Sequence, residues 1–353
     1  MEKMWSKTKI GRLELPHRLA MAPMTRSRAQ EDGVPGELSS LYYSQRASMG
    51  LIISEGAQPS EDGQGYLWTP GIYTKNHIEG WKKGTDAVHN AGGFMFIQLM
   101  HVGRMSHPDN TPHHRQAVAP SAIAPGVEMF TAKGMQNIPV PRELSKEDIQ
   151  TTIADFRKAA AAAIEAGADG VEIHGANGYL LNQFIGENSN IRMDEYGGSI
   201  ENRARFAIEV TKAIVEEIGA DRTGFRISPG TPLGGIDDGE HGPEVYLHLV
   251  KELAKLNLAY LHVMHLGNET LLQNIRKIWM NPLLVNRAGR ALADLSVDID
   301  TGLADIVPIG AWSLANPDLV ERLKKGAPLN APDPTTFFSG GSKGYTDYPT
   351  LMD

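Results

Sequence analysis

The sequence contains no cysteine. That single absence excludes disulfides, thiolate metal sites, iron–sulfur clusters and cysteine nucleophiles. No stretch holds about 18 consecutive apolar residues, so no membrane-spanning helix is expected. The first eleven residues carry lysines but no apolar core, so they do not read as a secretory signal. Positive charge is also in short supply. Lysine and arginine total 34 against 42 aspartates and glutamates, a formal net charge of −8. Nothing offsets phosphate repulsion, which argues against a nucleic-acid or anionic-membrane partner. A soluble cytoplasmic protein, monomer or homodimer, acting on a small molecule is the expectation.

Two motifs are missing as well. No Gly-x-Gly-x-x-Gly follows a strand, which weakens a dinucleotide-binding doubly wound fold. His101, His107, His113 and His114 sit close together without a helical His pair or an acidic third ligand. They are read as a solvated loop, not a metal site.

What is present is a regular alternation. Of 353 residues, 41% are hydrophobic, enough for a sizeable core. Eight short apolar runs fall at 19–24, 51–56, 94–100, 170–175, 224–228, 260–265, 282–286 and 305–310. Helical stretches are expected at 37–49, 75–91, 146–166, 199–218, 243–257 and 268–279. A weaker one is expected at 288–295, and a last one from Asn316. Ser145 is the N-cap of the helix at 146, with Asp148 in the capping-box position. Strand–helix alternation implies parallel βαβ units. Eight of them predict a single-domain (β/α)8 TIM barrel over residues 1–353. Residues 101–143 are proline-rich and aperiodic, a lid-like insertion after strand three with a short hairpin near Met129–Ile138. Residues 326–353 are expected to form a C-terminal strap, because their aromatics need burial.

In such barrels, chemistry sits at the C-terminal ends of the strands. The side chains there are Thr25, Gln98, His101, His174, Asn177, Tyr179, Arg226, His262, His265, Asn286 and Arg287, with Gly310 after the eighth strand. The set lacks the facing carboxylates of a glycosidase and an acidic cluster for magnesium. It offers amide, hydroxyl and guanidinium groups, which suit a polar heterocycle. A strand-buried arginine needs an anionic or electron-rich partner, as a reduced flavin is. Within six residues, His174 and Asn177 can both donate to one oxygen, and the Tyr179 phenol can deliver a proton.

At this point the chain resembles the old yellow enzymes, FMN-dependent NAD(P)H:flavin ene-reductases. The resemblance runs through Met-Ala-Pro-Met-Thr-Arg at 21–26, Gln-Leu-Met-His-Val-Gly-Arg at 98–104 and His-Gly-Ala-Asn-Gly-Tyr-Leu at 174–180. It continues through the 190–203 stretch, Arg-Ile-Ser-Pro at 226–229, Ala-Asn-Pro-Asp-Leu at 315–319 and Gly-Tyr-Thr-Asp-Tyr-Pro at 344–349. It implies FMN as cofactor and NADPH or NADH as hydride donor. It implies that Thr25 bonds the flavin C4 carbonyl, a classical-type feature where another subgroup has cysteine. Pro23, Met24 and Ala57 would line the flavin, and Gln98 and Arg226 would bind its ring. His174 and Asn177 would hold the oxygen of an α,β-unsaturated carbonyl or nitro substrate. Tyr66, Met100 and Tyr345 would line the substrate pocket, with Met100 where many relatives have tryptophan. Hydride would pass from NAD(P)H through flavin N5 to the substrate Cβ in a ping-pong cycle, with Tyr179 protonating Cα.

Two departures concern the FMN phosphate. The family's Asn-Gly-Gly-Tyr after strand seven is here Asn286, Arg287, Ala288, Gly289 and Arg290. Its Gly-Arg after strand eight is Gly310–Ala311. Asn286, Arg287, Gly289, Gly310 and Ala311 are therefore the candidate phosphate residues. Arg287 or Arg290, or backbone amides, would replace the missing cation. The alternatives are a nitroester or nitroaromatic reductase using the same site, and a non-catalytic flavin-binding protein. An iron–sulfur dienoyl-reductase relative is excluded by the absent cysteines, and a metal-dependent hydrolase or aldolase by the absent ligands and strand-end lysine.

Overall fold

The computed structural model describes residues 2–352. Eight short strands form one parallel sheet: β1 (Leu19–Met21), β2 (Leu51–Ala57), β3 (Met95–Leu99), β4 (Gly170–Gly175), β5 (Thr223–Ile227), β6 (Tyr260–His265), β7 (Leu283–Arg287) and β8 (Val307–Ile309). Their spatial order is β7-β6-β5-β4-β3-β2-β1-β8. A parallel bridge between Leu284 and Ile306 joins the two ends and closes the ring. Nearly every residue of β2 to β5 is buried on both faces, the mark of a parallel sheet wrapped by helices.

The helices are α1 (Glu37–Ser44), α2 (Lys75–Asn90), α3 (Lys146–Glu165), α4 (Leu180–Ile185), α5 (Ile200–Ile218), α6 (Gly242–Ala254), α7 (Glu269–Ile278), α8 (Val297–Asp300), α9 (Ala311–Ala315) and α10 (Leu319–Lys325). The main core lies between this outer layer and the barrel. The expected cap of α3 forms: the Ser145 hydroxyl accepts from the Asp148 amide, and the Asp148 side chain answers the Ser145 amide.

Several elements differ from expectation. Thr8–Ile10 and Leu13–Leu15 form an antiparallel hairpin turning at Gly11, whose φ is +51°. These strands are too short to show an alternating pattern. Their Ile10 and Leu15 are fully buried with Ala20, Leu51, Phe96 and Ile306, plugging the barrel where its strands begin. The helix expected at 288–295 does not form. Gly289 takes a left-handed φ of +77°, and helix starts only with a short 3-10 turn at Leu292–Asp294 and then α8. The last helical segment is two pieces, α9 and α10, parted at Asn316 and Pro317. Helix α4 was not expected because all six of its residues are buried, which leaves no polar stripe to read.

The 101–143 insertion carries the expected hairpin, Glu128–Thr131 against Gly134–Asn137. The C-terminal strap is tied to the loop after β1. The buried Arg26 guanidinium donates to the carbonyls of Phe337 and Gly344, both at 2.9 Å. Among the described residues, no helix is long and apolar enough to cross a membrane.

Candidate active site

The β4 strand ends in a locked loop. Asn177 holds a left-handed φ of +57°, which asparagine tolerates better than most residues. Its amide donates to Ser228 Oγ at 2.8 Å. The Gly178 amide donates to Asn182 Oδ1 at 2.9 Å, and Gln183 of α4 donates to the carbonyls of Val102 and Gly178. Helix α4 thus fixes the direction in which His174, Asn177 and Tyr179 leave the strand.

These three residues face a cavity of about 780 Å3 at the C-terminal mouth of the barrel. Tyr179 crosses His174 edge-on, ring centres 5.1 Å apart, and its phenol donates to the Tyr66 hydroxyl at 3.2 Å. His174 Nδ1 accepts from the Ala176 amide at 3.3 Å. Burial, reinforced by the charge of Arg226, pushes the His174 pKa well below its ordinary value. The ring is therefore neutral and carries its proton on Nε2, so it donates from that side. Asn177 Oδ1 is buried without a hydrogen-bond partner. Burial raises the Tyr179 pKa, which keeps the phenol protonated at neutral pH.

The cavity floor is made by Pro23, Met24 and Thr25 after β1, Gln98 of β3, Arg226 of β5, and Gly310 and Ala311 after β8. Met100 lines it too, and only because position 56 is glycine: a Cβ there would lie 2.6 Å from the Met100 sulfur. Arg226 is 5% exposed and its Nε has no partner. A buried guanidinium whose Nη2 reaches the Met264 sulfur at 3.7 Å and whose Nε is unpaired, beside an amide and a hydroxyl in a cavity of this size, fits a flat heterocycle with carbonyls and an anion-forming edge.

Other expected site residues lie elsewhere. Ala57 is fully buried and does not reach the cavity. Tyr345 is also fully buried, stacked on Tyr42 at 4.3 Å beneath Arg26 and Arg28. It clasps the strap and does not line the pocket. Phe337, Phe338 and Ser339 of the same strap line it instead. Asn286 donates to the Pro308 carbonyl, and Gly289 turns the loop. Arg287 is spent on Asp298 and Glu269, and Arg290 on Asp298 as well. None of these four faces the cavity. His101 is buried, not solvated; its Nδ1 accepts from the Gly103 amide, and burial lowers its pKa to about 4.

The sequence reading missed the apolar mouth, where Trp68, Met105, Met129, Phe130 and Met135 join the strap phenylalanines. It also missed Glu172, fully buried inside the barrel and hydrogen-bonded to Gln98, Tyr260 and His262. The signal was available: a glutamate two residues before His174 points to the same face of β4.

A closed (β/α)8 barrel whose cavity gathers a buried arginine, a glutamine and the His174, Asn177 and Tyr179 set fits one class, the flavin-dependent barrel oxidoreductases. Comparison with known proteins specifies it. Residues 3–330 match the NADH:flavin oxidoreductase / NADH oxidase family, and the chain belongs to that family. It is 41% identical to 12-oxophytodienoate reductase 2 of Arabidopsis thaliana, over 97% of this chain and 94% of that one. It is likewise 41% identical to a probable flavin mononucleotide-dependent alkene reductase of Leishmania infantum, over 97% and 96%. Among solved structures, morphinone reductase in complex with tetrahydroNAD superposes with a TM-score of 0.95 at 43% identity, covering 99% of this chain and 97% of that one. The old yellow enzyme homologue from Zymomonas mobilis does so with 0.95 at 38% identity, covering 99% and 100%. The protein is an FMN-dependent, NAD(P)H-dependent oxidoreductase of the old yellow enzyme type.

Proposed function

We propose that the protein is an ene-reductase that reduces the C=C bond of an α,β-unsaturated carbonyl. One observation carries this reading. A neutral His174 with its proton on Nε2, the Asn177 side-chain amide, whose NH2 can donate, and a protonated Tyr179 line one cavity. The chemistry that FMN supplies when bound is hydride transfer, from NAD(P)H in one half-cycle and to the substrate Cβ in the other.

Gln98, Arg226 and Thr25 would hold the ring. His174 Nε2–H and the Asn177 amide grip the substrate carbonyl oxygen and stabilise the negative charge that grows there, with about 3 kcal/mol resting on each donor. Tyr179 gives its proton to Cα, and Tyr66, in contact with the phenol oxygen, keeps that hydroxyl oriented. The backbone at Gly310–Ala311 would hold the phosphate, because Arg287, at the end of β7, and Arg290 already answer Asp298 and Glu269.

Anaerobic mixing with NADPH and then cyclohexenone tests the reading. The flavin absorbance is expected to bleach and then return. Bleaching without return on any enone would overturn the ene-reductase reading.

A further inference from the structure

One level down the barrel from His174 lies a carboxylate that no step above uses. Glu172 Oε1 accepts from Gln98 Nε2 at 2.8 Å. Its Oε2 accepts from the Tyr260 hydroxyl at 3.0 Å and from His262 Nδ1–H at 2.9 Å. Glu172 and His262 are both fully buried. The Tyr260 contact crosses β5 above Gly224, where a Cβ would lie 2.3 Å from the phenol ring. Only glycine lets the hydroxyl through.

Burial pushes the Glu172 carboxyl up, but the hydrogen bonds from His262 and Gln98 and the charge of Arg226 pull it down, so it ionises below its ordinary range. Burial lowers His262, so its ring is neutral, and its Nε2 is left without a partner. Two consequences follow from an ionised Glu172. A carboxylate only accepts, so Gln98 must turn its NH2 toward it. The Gln98 carbonyl oxygen is then the atom offered to the cavity, an acceptor for a ring N–H. Burial also disfavours the Arg226 charge, and Glu172 is the first group to offset that.

We infer that Glu172 is a positioning residue for the flavin: it sets the orientation of the Gln98 amide and, as counter-charge to Arg226, holds down the reduction potential of bound FMN. The inference rests on the FMN reading above. With Glu172 in place, the Glu172–Arg226 pair has no net charge, so the anionic reduced flavin gains less from Arg226 than it would from a lone guanidinium.

Glu172→Gln keeps the shape and removes the charge. Its FMN is expected to favour the reduced over the oxidised form about tenfold more than in the parental protein, a rise of about 30 mV for this two-electron couple. Glu172→Asp keeps the charge but shortens the reach to Gln98. It is expected to hold a near-parental potential while binding both redox forms about tenfold more weakly. A purely structural Glu172 would weaken both forms in both variants and leave the potential where it was. FMN-bound Glu172→Gln with an unchanged potential overturns the counter-charge. A third measurement needs no variant. In the parental protein loaded with FMN carrying 15N at N3, the N3 proton is expected to show slow solvent exchange and the shift of a hydrogen-bond donor. Exchange at the rate of free flavin overturns the amide orientation. A parental protein that takes up no flavin overturns this inference together with the function above it.

Discussion

His174 and Tyr179 are both buried titratable groups, and burial moves them in opposite directions. His174 is pushed down and stays neutral; Tyr179 is pushed up and stays protonated. Neither changes charge between roughly pH 6 and pH 9. Enone reduction by pre-reduced protein is therefore expected to be flat across that range, and a bell with a limb near neutrality would contradict the assigned protonation states. Replacing Tyr179 with Phe removes the proton while leaving the ring. Bleaching by NADPH is expected to be unchanged, and recolouring by enone to slow by 10²-fold or more. Stopped-flow measurement of the two half-reactions checks this; equal slowing of both would remove Tyr179 from the donor role. At this scale the sequence was informative about groups that cluster along the chain. His174, Asn177 and Tyr179 lie within six residues, and their spacing alone brought them together. Tyr345 was misplaced for the opposite reason. An aromatic ring's partner is distant in sequence, and stacking on Tyr42 looks no different in sequence from lining a pocket. Glu172 escaped notice because its three partners come from two other strands.

Between residue and fold stand the connecting segments that shape the site. The barrel strands were legible because parallel strands buried on both faces read as apolar runs. The small elements were not: a three-residue strand or a fully buried six-residue helix carries no periodic signal. The strap shows what such segments do. Arg26 reaches two of its carbonyls at 2.9 Å and lies over the Tyr42 and Tyr345 rings, 5.0 Å from each centre. Arg26→Ala is expected to cost about 3 kcal/mol, since charge-assisted bonds are lost and the carbonyls are left unpaired. Limited proteolysis should then cut near 337–345, and the mouth lined by Phe337 and Phe338 should loosen. An uncut strap with parental stability would count against the clasp. The loop after β7 makes the converse case. It supplies two arginines, but Asp298 and Glu269 consume them. Ala311→Arg puts an uncompensated cation on the cavity floor. It is expected to tighten FMN about tenfold while leaving riboflavin, which has no phosphate, unaffected. Titration of both flavins by fluorescence quenching measures the ratio, and equal gains would mean that the phosphate lies elsewhere.

At the scale of the whole molecule, some of the buried polar groups left without partners lie at the cavity end of the barrel. Arg226 Nε, Asn177 Oδ1 and His262 Nε2 are all buried without partners around the same cavity and the carboxylate beneath it. Each unpaired buried group costs about 1–3 kcal/mol, and such costs persist in evolved folds where a ligand answers them. The two ends of the barrel therefore differ. The starts of the strands are closed by an apolar plug of Ile10, Leu15, Phe96 and Ile306, while the cavity at the other end has a floor with polar Thr25, Gln98 and Arg226 beneath an apolar rim. Folding stability should be coupled to the flavin for this reason. FMN at a hundred times its Kd adds about 2.7 kcal/mol by mass action. With an unfolding entropy of about 2.1 cal/mol/K per residue over 353 residues, that raises the melting temperature by roughly 4 °C. Glu172→Gln leaves the Arg226 charge without its offset, so its flavin-free form should melt below the flavin-free parental protein, with FMN recovering part of the difference. Calorimetry of both proteins, each with and without FMN, measures these four values. A parental melting temperature indifferent to saturating FMN would show that the polar cavity floor is satisfied from within the chain.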